Sequence, residues 1–271
     1  MSLIRSGALA LVLAFTCGVT TQAQQIDLSK MVQAPPSMPL GEGVKVGDRV
    51  EIELKSGSAL LMRHFTAIVG ETEDAWEVES NQMTQAYGSM PGGEGLLMAL
   101  VLDKKTFKVL SAKIGVPGGE LKEVKVMELK QHPQAKTPPS KEEEFTLPSG
   151  KKVKVSVTTS QAGGQTYTSW VGAKGTDLEG LLLGLKGPSA NRTLSADPAE
   201  VDHELQDKDA EGKARTVVGQ EVVYTDGSRF VMTKDPVAKS LHYGMLSNTT
   251  PTSKIEVVSL RTDAKPTLTW N

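Results

Sequence analysis

The chain has 271 residues, with 30 basic and 32 acidic side chains and a formal net charge of −2 at pH 7. Because there is no domain-wide basic excess, the composition gives no reason to expect a nucleic-acid partner. Cys17 is the only cysteine and lies in a segment that we expect to be removed. A mature chain would then have no disulfide, no thiol nucleophile and no cysteine-ligated metal.

Residues 1–23 have the composition of a signal peptide. Arg5 gives a positive start, and residues 8–15, "ALALVLAF", form an apolar core that is too short to cross a bilayer. Small residues precede a cleavage site after Ala23, which predicts a mature chain beginning near Gln24. We therefore expect a periplasmic or secreted protein. The alternative is an uncleaved N-terminal membrane anchor.

Acylation of Cys17 would make the protein a lipoprotein, but Phe15 and Thr16 before it fit that processing pattern poorly. The longest later apolar run, residues 96–102, has the length of a strand. We therefore predict no transmembrane span in the mature chain. An exported chain without cysteines suits a bacterial envelope better than a eukaryotic secretory route.

Residues 24–43 contain three prolines and few periodic apolar positions, which predicts a flexible tether. Regular alternation of apolar and polar residues starts at Val44, so we place a β-rich domain at 44–271. The proline-rich segment 131–144 has two interpretations. It is either a boundary between two domains or a long surface loop of one domain.

The dominant period along the domain is two, which is typical of strands with one buried and one wet face. The spacing of turn residues predicts a mainly β fold, either a barrel or a sandwich. "DGS", residues 226–228, is the clearest signal for a tight hairpin. The predicted strands are 46–55, 60–69, 75–80, 96–102, 106–116, 121–130, 151–158, 165–172, 191–196, 215–224, 228–233, 239–246, 254–260 and 265–270.

Helical patterns are scarce, and we predict one or two short helices. Residues 175–187 form one candidate, with Asp177 near its start and Gly187 at its end. Residues 195–214 form the other, with Asp197 as N-cap and a proline at the first helical position.

The sequence shows no constellation that predicts an enzyme or a metal centre. His64, His132, His203 and His242 have no metal-ligand spacing, and we interpret His64 and His242 as residues on strand faces. The acidic run that begins at Asp207 opens like a calcium loop, but Val218 stands where the essential glutamate belongs, which favours a solvated loop. No phosphate loop, dinucleotide fingerprint or nucleophile motif is present. We therefore predict no enzymatic activity and no cofactor.

Three stretches carry a resemblance to a known family: "VGDRVEIEL", "AIVGETEDAWEVE" and "FTLPSGKKVKVSV" with the later "YTSWVG". In rhythm they resemble bacterial envelope proteins of the lipoprotein-carrier superfamily (LolA/LolB-like) and related secreted proteins. The resemblance covers roughly residues 44–270 and transfers no functional residue. It implies a curved antiparallel sheet or incomplete barrel whose concave face holds acyl chains.

Two functions remain open at this point. The first is a non-enzymatic protein that binds a lipid or other apolar ligand in a β-cavity. The second is a structural or interaction module of the envelope that meets a protein partner and has no small-molecule ligand. Methionine, leucine and glycine make adaptable apolar surfaces. The predicted lining of the cavity is Val50, Ile52, Leu54, Met90, Met98, Leu181, Leu182 and Leu183.

Overall fold

The computed structural model describes residues 27–90, 93, 95–128, 139–162, 164–188, 191–208 and 212–270. The predicted signal peptide lies outside these residues. The protein is mainly β and its large antiparallel sheet is not closed into a barrel, which confirms the predicted fold class. The described strands are β1 (Gln33–Ala34), β2 (Arg49–Ser56), β3 (Ala59–Glu71), β4 (Ala75–Ser80), β5 (Leu97–Asp103), β6 (Val109–Gly115), β7 (Lys122–Glu123), β8 (Lys125–Val126), β9 (Ser140–Thr146), β10 (Lys152–Ala162), β11 (Gln165–Gly172), β12 (Leu182–Lys186), β13 (Asn191–Thr193), β14 (Ala199–Lys208), β15 (Ala214–Val223), β16 (Arg229–Met232), β17 (Met245–Thr249) and β18 (Lys254–Arg261). The described helical elements are α1 (Pro236–His242) and short 3-10 helices at Leu28–Lys30 and Gln85–Tyr87.

The large sheet has eleven strands among the described residues, in the order β14-β15-β16-β17-β18-β2-β3-β4-β5-β6-β7. Pairing of β18 with β2 joins strands that are about 200 residues apart in the sequence, with Val257 opposite Ile52. Alternation gives the sheet two chemically different faces. We call the face that carries Val50 and Ile52 the inner face. The outer face carries the charged residues between them, including Glu51 and Glu53.

The segment 27–43 packs on the inner face, so the predicted flexible tether is wrong for the described part of that segment. Leu28, Val32, Ala34 and Leu40 are buried, and β1 pairs in parallel with β8. The prolines interrupt any helical or strand periodicity in this segment, but a proline carbonyl can still accept a hydrogen bond. The carbonyl of Pro36 accepts from the amide of Val109 in the sheet. We call this core the N-terminal cluster; its sheet residues include Ile68, Val78, Met98, Leu100, Leu102, Ala112 and Ile114.

Helix α1 covers another part of the inner face, where the sequence pattern of 239–246 predicts a strand. That prediction is wrong because local capping overrides the apolar alternation. The side chain of Asp235 accepts from the amides of Val237 and Ala238, and Pro236 occupies the start of the helix. We call the core beneath this helix the α1 cluster; it includes Val50, Ile52, Leu205, Val231, Val237, Ala238, Leu246, Val257 and Leu260.

The two predicted helices at 175–187 and 195–214 are also wrong. The first region contains turns and then β12; Leu181, directly before this strand, and Leu183 within it are buried, while Leu182 between them is half-buried. The second contains β14, where Leu205 and Asp207 are buried and their neighbours are exposed. Both segments alternate with a period of two. Of their apparent N-caps, Asp177 lies in a turn, and the carboxylate of Asp197 accepts from the amide of Ser149 at 2.9 Å.

The hairpin predicted at "DGS" is confirmed. Gly227 adopts a positive φ of 81°, which favours glycine. The side chain of Asp226 accepts from the amide of Ser228, 2.8 Å away. This turn joins β15 to β16.

A second sheet has the order β13-β12-β11-β10-β9. Residues 131–138 lie outside the described part of the chain, and Ser140–Thr146 form β9, so the loop predicted at 131–144 is wrong for 140–144. The sheet packs on the large sheet through what we call the inter-sheet cluster. That cluster includes Leu147, Val155, Val157, Leu181, Leu183, Leu194, Val222 and Tyr224.

Tyr224 joins the two sheets, and removal of its hydroxyl should measure that connection. The hydroxyl donates to the carbonyl of Leu182 at 2.6 Å, and burial raises the pKa of Tyr224 to about 12. We expect Tyr224→Phe to lower the free energy of unfolding by about 1–2 kcal/mol, because a buried carbonyl loses its donor. Urea unfolding of this variant and of Tyr167→Phe, whose hydroxyl donates to the exposed Gln165 side chain, checks the prediction. Equal effects of the two substitutions would contradict it.

Candidate functional site

Three of the predicted lining residues lie on β2. Val50 and Ile52 are buried in the α1 cluster, with exposed fractions of 1% and 4%. Leu54, two residues further along the strand, is half-buried. The apolar face of β2 is therefore covered by α1 and by neighbouring strands.

The other five predicted residues lie in two different places. Met98 is buried in the N-terminal cluster, and Met90 is partly buried against it. Leu181 and Leu183 are buried in the inter-sheet cluster, while Leu182 is half-buried and its carbonyl receives the Tyr224 hydroxyl. The structure thus divides the buried ones among separate apolar cores, and it does not bring the eight residues together around one space.

Two grooves lie away from those residues. The first, of about 220 Å³, is on the outer face and is bordered by Val101, Lys113 and Trp270. The second, of about 340 Å³, lies beside β10 and is bordered by Lys154, Asp177 and Asp197. None of the eight predicted lining residues borders either groove.

Two histidines lie near each other on the inner face. His64 stands opposite Ile52 in the β2–β3 ladder, and His242 ends α1, which contacts β2, β17 and β18. Nδ1 of His64 and Nε2 of His242 are buried, without a hydrogen-bond partner among the described residues. Burial, together with the charge of His64, lowers the pKa of His242 to about 4, and burial lowers the pKa of His64. Both rings are therefore neutral near pH 7.

Sequence reasoning missed this pair for a specific reason. The alternation of β3 correctly places His64 on a strand face, but His242 was assigned to a strand that is in fact α1. His203 is engaged elsewhere, since its Nε2 donates to the carbonyl of Val257 at 2.7 Å, and His132 lies outside the described residues. In the described ranges, no group of three or more His, Cys, Asp or Glu side chains is arranged to hold a metal ion.

Side chains of β14 and β15 reach the part of β18 that extends past its pairing with β17. That pairing ends at Glu256. Beyond it, the carboxylate of Asp207 accepts from the amide of Leu260 at 3.0 Å, and Arg215 donates to the carbonyl of Leu260 at 2.5 Å. Asp207 is therefore bonded within the fold, and the solvated loop predicted from residue 207 onward does not include it. The following residues 209–211 lie outside the described part.

The outer face of β2, β3 and β18 carries a network of ion pairs. Lys55 Nζ lies 2.7 Å from carboxylate oxygens of both Glu53 and Glu256. Arg63 pairs with Glu51 at 3.1 Å and with Glu53 at 3.6 Å. Since the Glu53 side chain is only 6% exposed, the ion-pair network is partly shielded from solvent and fixes the relative position of the three strands.

The hairpin between β2 and β3 carries two exposed leucines at its tip. We call residues 56–61 the hairpin tip. Leu60 is 54% exposed and Leu61 is 59% exposed. The β2–β3 register shifts after Leu54, so that Lys55 stands opposite Leu60 and Met62 stands opposite Leu54. Leu61 is therefore the extra residue of a bulge, a device that redirects side chains at the end of a ladder.

The C-terminal segment is fixed to the outer face by one buried carboxylate. Glu79 is fully buried. Its two oxygens accept from the amide of Thr267 at 2.9–3.0 Å, and one of them also accepts from the amide of Leu268 at 2.8 Å and the indole of Trp270 at 2.9 Å. The strand predicted at 265–270 is wrong; these residues form an irregular tail with a bend at 267–268, whose amides donate to this side chain and not to a neighbouring strand.

Among the described residues, no helix combines the length and the apolar character needed to cross a membrane. Comparison with protein-family models gives no match, and comparison with curated protein sequences gives no significant match.

Proposed function

We propose that the protein is a non-enzymatic interaction module of the cell envelope that meets a partner protein through the hairpin tip. The observation that carries this proposal is the filled inner face. Residues 27–43 and α1 pack on the inner face of the large sheet, where a lipid carrier would need an empty space. Five of the eight side chains predicted to line a cavity, Val50, Ile52, Met98, Leu181 and Leu183, are buried in apolar cores.

The hairpin tip has the properties of a preorganised contact surface. Leu60 and Leu61 project beyond a strand pair whose base is held by the ion pairs of Lys55 and Arg63. A rigid base reduces the conformational entropy that is lost on binding. Adjacent apolar side chains with a polar surround resemble the centre and rim of a protein interface.

Charge favours a protein over a lipid surface as the occupant. Lys55, Arg63 and Lys254 lie near the tip, and each is paired with a carboxylate. Attraction to anionic lipid headgroups depends on clusters of cations that are free to meet them. Here Glu51, Glu53 and Glu256 neutralise those cations, so little electrostatic attraction to a membrane remains.

Photo-cross-linking in the host tests the surface. A photoreactive residue at Ser58, in the tip, should give one discrete protein adduct, whereas the same residue at the exposed Ser111 should give none. Leu60→Ser combined with Leu61→Ser should reduce the Ser58 adduct at least about tenfold, since burial of each leucine contributes roughly 1.5 kcal/mol or more. Leu110→Ser is the matched control, because Leu110 is 58% exposed on β6, and it should leave the adduct unchanged.

Native mass spectrometry of the mature protein from its host separates this proposal from the carrier function. A clean mass without uptake of offered phospholipid supports the interaction module. A stoichiometric co-purified lipid would overturn it. Adducts that form equally at Ser58 and Ser111, or that survive the double leucine substitution, would also overturn it.

A further inference from the structure

Helix α1 is attached to the rest of the fold by few polar contacts. Ser240 Oγ donates to the buried carboxylate of Asp48 at 3.2 Å, and the amide of Gly41 donates to the Ser240 carbonyl at 2.6 Å. Tyr243, directly after the helix, donates its hydroxyl to the carbonyl of Pro39 at 3.0 Å. The remaining attachment is apolar, through Val237, Ala238 and Leu241. A seven-residue helix of this kind is a local unit that can open without global unfolding.

His242 is the last residue of this helix, and its environment accommodates only a neutral ring. Protonation would turn its buried, unpartnered Nε2 into an N–H group without an acceptor, which is costly in an apolar site. Protonation of His64 would do the same at its Nδ1. It would also place a second positive charge close to the first, and like charges in a poorly solvated site repel strongly.

The charged groups on the elements packed against His242 do not offset this cost. β17 has no titratable residue. The charges of β2 and β18, together with Arg63 of β3, are on the outer face, at Arg49, Glu51, Glu53, Lys55, Arg63, Lys254, Glu256 and Arg261. Glu71, the last residue of β3, lies seven residues from His64 and pairs with Lys104 at 2.8 Å. Residues 41–48 contribute Glu42, Lys45 and Asp48, and the region of α1 contributes Asp235 and Lys239. Among the described residues, the charge interaction that acts on His242 comes from His64.

We infer that His64 and His242 form an acid-sensitive latch, in which protonation releases α1 and exposes the inner-face residues Val50, Ile52, Leu246 and Val257. The inference goes beyond the proposed function, because it concerns the inner face and not the hairpin tip. It gives the protein a second apolar surface that becomes available only in acid.

The direction of the pH effect follows from proton uptake. The pKa of His242 is about 4 in the closed protein and about 6.5 in a solvated state, so the open state takes up more protons between these values. The closed state is therefore fully stabilised above about pH 6.5 and loses that stability as the pH falls toward 4. Asp48 acts in the opposite direction, because burial raises its pKa and its protonation favours the closed state. Protonation of Asp48 would also weaken the hydrogen bond that its carboxylate accepts from Ser240, which reduces the stabilisation of the closed state.

Hydrogen exchange of the α1 amides in the mature chain tests the latch. After correction for the intrinsic pH dependence of exchange, the opening equilibrium should rise about 30-fold between pH 7.5 and pH 5, as the two pKa values of His242 require. His242→Gln should remove most of this rise. His203→Gln, which retains a donor for the Val257 carbonyl, should retain it.

A titration of wild-type protein keeps the inference testable if His242→Gln does not fold. The NMR resonance of the His242 ring should titrate near pH 4 or together with α1 opening, and an apolar dye should bind over the same range. A His242 ring that titrates near 6.5 without any change in α1 exchange would overturn the inference. So would exchange that follows global unfolding at every pH. Neither result bears on cross-linking at the hairpin tip.

Discussion

Glu79→Ala is expected to lower the free energy of unfolding by about 3–4 kcal/mol. Hydrogen bonds to a charged group typically contribute about 1.5–3 kcal/mol each, and this carboxylate accepts from Thr267, Leu268 and Trp270. If the tail detaches in the variant, some of these N–H donors can bond to water, which limits the loss of stability. Leu268, now 4% exposed, would become solvated at the same time. Chemical denaturation monitored by tryptophan fluorescence measures the change.

The matched control is Glu77→Ala on the same strand and the same face. Glu77 is half-buried and borders the outer groove, and no hydrogen bond of its carboxylate to the tail is seen among the described residues. We expect its replacement to cost no more than about 0.5 kcal/mol, the usual range for surface substitutions. Comparable losses for Glu77→Ala and Glu79→Ala would show that the tail contacts are not what stabilises the protein.

A double-mutant cycle isolates the connection between Glu79 and the tail. Removal of residues 264–271 from the wild-type chain leaves the buried carboxylate without its donors, so we expect this truncation to cost more than Glu79→Ala. In a Glu79→Leu background the same truncation should cost at least about 1 kcal/mol less. Additive effects of the two changes would contradict a direct connection.

The sequence predicts the strands of this fold well where alternation is regular. Residues 46–55 and 75–80 show the pattern, and β2 and β4 lie there, because a strand with one buried face requires apolar residues at every second position. Alternation does not show what covers the buried face. On the inner face the cover comes from residues 27–43 and α1, whose prolines and caps hide apolar residues from a search for periodicity.

Most features that the sequence does not predict depend on contacts between residues far apart in the chain. The apolar faces of β2 and of residues 181–183 look alike in sequence, but they belong to separate cores because of strand order. Glu79 reads as a solvent-facing glutamate in an alternating strand, and only the tail that packs on it reveals its role. The same limit applies to His64 and His242, since nothing local indicates that α1 packs on β2, the strand that pairs with β3.

Asp207→Ala is expected to lower the free energy of unfolding by about 2–3 kcal/mol and to loosen β18. Asp207 is 8% exposed, and it accepts from the amide of Leu260 beyond the point where the pairing of β18 with β17 ends. A buried amide without an acceptor costs about 1–3 kcal/mol. The pair with Arg261, at 3.2 Å, adds little because the arginine side chain is 53% exposed. Asp202→Ala, at an exposed position of the same strand, is the control and should change stability by less than about 0.5 kcal/mol.

The position at which β18 loses protection distinguishes this prediction from a general loss of stability. Hydrogen exchange at Leu260 should accelerate more than exchange in β2 and β3, because the Leu260 amide donates to Asp207 itself, whereas β2 and β3 are held by pairing with each other. Asp207→Asn keeps an acceptor oxygen and should restore much of the protection at Leu260. Unpaired strand edges invite pairing with other chains, so the alanine variant should also aggregate faster at high concentration. Uniform acceleration across the large sheet, with no preference for Leu260, would mean that side-chain contacts from β14 do not hold this edge.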